Sequence, residues 1–217
     1  MKNITTIVCF SIVILFTLTI SLMNWFRINN NHKEKYSEYT YVYDCVKEAE
    51  LKYFETKSQL CDEVQKYILE IAPQSNLRGY AIVEECEKFN IDIKFVLAQG
   101  EVESHFATRG LGAKLNSVFN VGIFDGYSSR EIHSNYKYSY PNESIRPYLQ
   151  LLTDKYLIDK LEVDLLDNYV DINGNRYASD TNYESKLKDK YMFIKMHTKI
   201  DELQKQMHNY AIKCDRI

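Results

Sequence analysis

From about Asp44 onward, apolar residues recur at the three-to-four spacing of helices, and the rhythm fails in one stretch, Thr108 to Tyr140. That stretch holds Gly110, Gly112, Gly122 and Gly126, four of the seven glycines in 217 residues. With only three prolines besides, the rest of the chain carries few helix breakers. Collagen-like, proline-rich and Gly/Ser-linker classes are excluded, and an apolar fraction of 45% excludes wholesale disorder. The length suffices to bury a core. A mainly α fold with one irregular lobe is expected.

Leu60, Val64, Tyr67, Ile68 and Ile71 lie on one helical face, so Asp44 to Ile71 reads as one long or two shorter helices forming a stalk. Pro73 stops it. Ser75 is expected to cap a helix through Tyr80, Ile82, Val83 and Phe89, and Asp92 to cap another through Phe95 to Phe106. A small hairpin is expected around Ser129 to Tyr140. Helix resumes at Asn142, and a last helix begins near Asp180 and carries Tyr183, Leu187, Tyr191, Ile194, Ile200 and Leu203. No internal repeat is present.

Between Lys2 and Arg27 no residue is charged, and Ile4 to Phe26 is long and apolar enough to cross a bilayer as a helix. Trp25 and Phe26 stand at one end, where aromatic rings favour the membrane boundary. No Ala-x-Ala-like site follows, so residues 1–26 read as an uncleaved anchor rather than a signal peptide. Residues 27–66 then form a polar tether and helical stalk. Arg27, Lys33 and Lys35 mildly favour a cytoplasmic carboxyl-terminal part. A net charge of −3 argues against a nucleic-acid partner bound through phosphates. Cys9, Cys45, Cys61, Cys86 and Cys214 show no CxxC pairing and no zinc-ligand spacing, and read as isolated thiols.

The segment Leu97-Ala-Gln-Gly-Glu101-Val-Glu103-Ser-His105-Phe106 carries the most chemistry. A carboxylate near the end of an apolar helix, before a Gly-containing loop, can be partly buried, stay protonated and act as a general acid. The plain alternative is that Glu101 and Glu103 form a solvated face, and spacing alone favours it. Asp171-Ile-Asn-Gly174 resembles part of a calcium loop, but Tyr169 stands at its first ligand position, and a tight turn is the better reading. The five histidines form no HxxxH pair. No metal or cofactor is expected.

Leu97-Ala-Gln-x-x-x-Glu103-Ser104 resembles the LAQxxxES signature of bacterial and phage glucosaminidases, glycoside hydrolase family 73, the mannosyl-glycoprotein endo-beta-N-acetylglucosaminidase-like domains. Asn116-Ser-Val-Phe119-Asn-Val-Gly122-Ile resembles that family's Asn-Asn-x-Phe-Gly-Ile stretch. Tyr138 to Tyr148 is similar to its helix entry, and Arg176-Tyr177-Ala-Ser-Asp180-x-x-Tyr183 to its Tyr-Ala-Thr-Asp-x-x-Tyr motif. The four motifs stand in the family's order and cover about Tyr67 to Ile200.

The resemblance implies a lysozyme-like helical domain over 67–200, followed by a helical extension over 201–217. It implies cleavage of the β-1,4 bond after N-acetylglucosamine in peptidoglycan. Glu103 matches the general acid and Tyr177 the active-site tyrosine, and Phe106 and Phe119 match positions along the sugar groove. Asn116 and His105 are added as substrate contacts. The second carboxylate falls in the variable lobe, with Glu131 the first choice and Asp125 the second. Departures at His105 and Ala107 bear on substrate register. The rivals are a lytic transglycosylase or muramidase of lysozyme-like fold, and a non-catalytic wall-binding or assembly protein. Peptidoglycan lies outside the inner membrane, so the expected location is a single-pass anchor with its domain on that side, in a bacterial or phage-delivered protein.

Overall fold

The computed structural model describes residues 21–23, 25, 27, 43–122 and 137–215. Two compact units are distinguished, Met1–Leu51 with Ile212–Ile217, and Lys52–Ala211. The second holds the core and every candidate site residue described below. It includes Leu60 and Val64, fully buried core residues in the stretch read from sequence as a stalk. Among the described residues no helix is long and apolar enough to cross a membrane. The expected span from Ile4 to Phe26 lies almost wholly outside them.

Helix α1 spans 43–71 and ends just before Pro73. Helix α2 (Gly79–Phe89) follows, starting at Arg78 with no side-chain cap. Ser75 therefore does not cap it. Its hydroxyl accepts from the Leu77 N–H (3.2 Å) and donates to the Phe106 carbonyl (2.7 Å), tying the α1–α2 turn to the segment after α3. Gly79 lets α2 approach α1: a Cβ there would stand 2.6 Å from the Gln65 backbone nitrogen.

Helix α3 (Ile93–Ser104) begins as expected, with Asp92 Oδ1 accepting from the Lys94 N–H at 2.9 Å. Eight consecutive residues, Ile93 to Gly100, are buried, and so is Glu101. A helix enclosed on all sides sits at the centre of the packing. Helix α4 (Gly110–Leu115) lies against its end. Pro141–Ser144 form a 3₁₀ turn leading into α5 (Ile145–Leu151), whose ladder widens to a π turn over Leu152–Tyr156. A short helix, α6 (Glu162–Leu165), precedes an isolated antiparallel bridge between Val170 and Arg176. The Asp171–Gly174 segment inside that bridge is a tight turn: Asp171 Oδ1 accepts from the Asn173 and Asn175 N–H groups, and Gly174 takes φ 82°.

The single last helix expected from Asp180 is two helices, α7 (Tyr183–His197) and α8 (Ile200–Asp215). Thr198 is extended between them, and its hydroxyl accepts the Ile200 N–H, which favours a new start. Helix α7 runs antiparallel to α3. Tyr183 meets Glu103, Lys190 meets Glu101, and Tyr191 meets Asp92, in reverse order along the two helices. Most of the hairpin expected around Ser129 to Tyr140 lies outside the described residues. Cys45, Cys61 and Cys86 are free thiols.

Candidate active site

The carboxyl end of α3 is fixed by its own sequence. Ser104, directly after Glu103, donates its hydroxyl to the Val118 carbonyl and accepts the Ala107 N–H, both at 2.7 Å. His105, Phe106 and Ala107 then take φ of 52°, 55° and 60°, three consecutive left-handed residues with side chains. Two tight contacts hold this turn. A Cβ on Gly112 would stand 2.4 Å from the Ser104 Cβ, and one on Gly100 would stand 2.9 Å from Val118 Cγ1. The Glu-Ser pair therefore works as a unit, with the serine clamping the turn that presents the glutamate.

Glu103 is half-buried. The Tyr183 hydroxyl, from the first turn of α7, donates to its Oε1. Asn120 Nδ2 donates to its backbone carbonyl at 3.3 Å. Burial pushes the Glu103 carboxyl above its ordinary range, opposed by hydrogen bonds from Tyr183 and Asn120. Such a carboxyl keeps its proton closer to neutral pH than a solvated one.

Tyr177 comes in from the Asp171 turn, its N–H bonded to the Tyr169 carbonyl at 2.9 Å. Its ring stacks on Tyr169 at 4.4 Å and stands 5.6 Å from the Tyr183 ring. Its hydroxyl donates to the Phe119 carbonyl (3.4 Å) rather than to Glu103. Beneath it, Gln99 Oε1 accepts from the Tyr148 (2.5 Å) and Tyr169 (2.9 Å) hydroxyls. Burial raises the pKa of Tyr148, Tyr169, Tyr177 and Tyr183, so all four remain protonated donors.

The structure gives other expected site residues different work. Phe106 and Phe119 are fully buried: Phe106 packs edge-on against Tyr67, and Phe119 stacks on Tyr148 at 3.9 Å. Large rings with no water contact build the floor of the site rather than its exposed wall. Asn116 ends α4 in a left-handed conformation, and its Nδ2 donates to the Tyr138 and Ser139 carbonyls. His105 is half-buried and ends α3. Glu101 is not on a solvated face. It is buried, bonded by the Tyr67 hydroxyl (2.6 Å) and paired with Lys190 (2.5 Å). Glu131 and Asp125 lie outside the described residues.

Tyr183 and Asn120 are the neighbours of Glu103 to which the sequence reading gave no role. Tyr183 stands inside a quoted motif, six residues after Tyr177, and that spacing was the available signal. Among the described residues no cluster of three or more His, Cys, Asp or Glu is placed to hold a metal ion. A cavity of about 650 Å³ lies at the opposite end of α3, beside Asp92 and Lys94, where Asp92 and Asp201 are both paired with Lys94.

Residues 79–195 match the family model for Glucosaminidase, described as mannosyl-glycoprotein endo-beta-N-acetylglucosaminidase. Tyr183 and Asn120, which bond Glu103, and Tyr177 all lie inside that span. No curated protein and no solved structure matches the chain.

Proposed function

The chain belongs to the glucosaminidase family, and from that premise we propose that it hydrolyses peptidoglycan at the β-1,4 bond after N-acetylglucosamine, with Glu103 as general acid. The observation that carries the reading is the Glu103 carboxyl, half-buried, raised in pKa, and bonded at one oxygen by Tyr183. Because Oε1 is occupied by that donor, the acidic proton belongs on Oε2, free to pass to the glycosidic oxygen. Once the proton leaves, the carboxylate is anionic and the Tyr183 hydrogen bond strengthens. The bond therefore favours the state after transfer over the state before it, which is the requirement for lowering a barrier.

Positive charge then develops at the anomeric carbon. It can be met by the substrate's own acetamido oxygen or by a carboxylate of the lobe, with Glu131 and Asp125 as the candidates. A carboxylate ~5–5.5 Å from Glu103 gives retention and one at ~6.5–9.5 Å gives inversion. Tyr177, whose ring stands 5.6 Å from that of Tyr183 and whose hydroxyl is neutral, is the candidate to steady that acetamido group. The substrate puts the domain on the wall side of the inner membrane, reached by an amino-terminus-in anchor. The reading is tested by release of new reducing ends from purified peptidoglycan. Wild-type protein should produce them, and folded Glu103→Gln protein should be slower by about 10²–10⁴-fold. Equal rates would refute the role of Glu103.

A further inference from the structure

Among the described residues only two side-chain atoms are buried without a hydrogen-bond partner, Gln99 Nε2 and Asn120 Oδ1. Such atoms are rare in folded proteins and mark places where a partner is missing. Gln99 is wholly inside, under Tyr148 and Tyr169, where no ligand reaches. Asn120 is different. It is half-buried, in company with half-buried Glu103, Val121 and Gly122.

Its orientation is determined by two hydrogen bonds and a backbone conformation. The Asn120 N–H donates to Ser117 Oγ at 3.0 Å, the backbone is left-handed with φ 50°, and Nδ2 donates to the Glu103 carbonyl at 3.3 Å. A backbone carbonyl only accepts, so the carboxamide must turn its nitrogen toward Glu103, and its oxygen is left without a donor. The preceding residue, Phe119, gives its carbonyl to the Tyr177 hydroxyl. Asn120 thus sits on the short segment joining the two candidate catalytic residues. Directly after the phenylalanine, the motif this segment resembles has glycine, which offers no side-chain acceptor.

Resting on the function proposed above, we propose that Asn120 is a specificity residue whose Oδ1 accepts the N–H of the 2-acetamido group on the sugar held against Glu103. An N–H that reaches this oxygen supplies the donor that the fold itself does not provide. Asn120→Gly is the variant of choice because glycine takes φ 50° without strain.

Calorimetric titration of the full chain with an N-acetylglucosamine oligosaccharide and with its de-N-acetylated counterpart tests the inference. Wild-type protein should bind the acetylated sugar about tenfold more tightly, one hydrogen bond's worth. Asn120→Gly should lose that preference by weakening only the acetylated ligand. Equal weakening on both sugars, no weakening on either, or no sugar binding by wild-type protein would overturn it. Peptidoglycan cleavage without an Asn120-dependent preference defeats this inference alone. The preference without cleavage defeats the hydrolase reading alone.

Discussion

Tyr183 and Glu103, eighty positions apart in the chain, are joined by a hydrogen bond from the tyrosine hydroxyl to one carboxylate oxygen. The bond exists because α7 runs antiparallel to α3, bringing its first turn to the carboxyl end of α3. Removing it with Tyr183→Phe takes away an influence that holds the Glu103 pKa down. The acid then stays protonated to higher pH, and the alkaline limb of the pH–activity profile moves upward. Tyr177→Phe, whose hydroxyl bonds Phe119, should leave that limb in place. Activity profiles of the two variants check this.

Glu103→Gln should also change stability, with a definite sign. Burial raises the Glu103 pKa in the folded state, so the folded protein favours the protonated form. The stability that Glu103 contributes is full below the ordinary glutamate range and is lost as pH rises through the folded value. The neutral amide should therefore stabilise the protein at neutral pH, with a gain that vanishes in acid. Glu101→Gln, which removes the partner of Lys190 and Tyr67, should destabilise instead. Urea unfolding at several pH values separates the two.

Much of this site could be read in the chain. Asp92 caps α3 as its type and position foretold, and Glu103 stands at the end of that helix. Glu101 was misread because spacing reports which face a residue occupies, not that Lys190 and Tyr67 come from distant helices to enclose it. The α7–α8 break was missed because the apolar period runs across it. Thr198, followed by Asp201 and Glu202, was the local signal for a helix start. Phe106 and Phe119 were placed along the groove by resemblance, whereas their burial depends on Tyr67 and Tyr148, which spacing does not connect to them.

The left-handed turn after Ser104 makes a prediction about Ala107. At φ 60° its Cβ crowds the backbone, a strain of about 1–2 kcal/mol that glycine lacks. Glycine's greater freedom in the unfolded chain offsets part of the gain. Ala107→Gly should raise stability by about 0.5–1 kcal/mol, read as a higher denaturation midpoint. Gly112→Ala should act in the opposite direction, by about 1–3 kcal/mol, because its Cβ would meet the Ser104 side chain and the Ser117 carbonyl.

Arg146 holds Glu85 through two 2.8 Å hydrogen bonds, and with Lys88 it lowers the Glu85 pKa to about 2. A depressed carboxylate contributes stability above the ordinary glutamate range and loses it as pH falls toward the folded value. Arg146→Gln should flatten the decline in stability between the ordinary glutamate range and about pH 2. Unfolding midpoints across that window measure it.

The central claim is that this glucosaminidase-family chain cuts glycan strands after N-acetylglucosamine with the proton of Glu103. Digestion of purified peptidoglycan, followed by reduction and identification of the sugar at each new end, tests it most directly. N-acetylglucosamine should appear at the new reducing ends with wild-type protein, and almost none with Glu103→Gln. Reducing N-acetylmuramic acid, anhydro-muramic ends, or undiminished product from the variant would contradict the account.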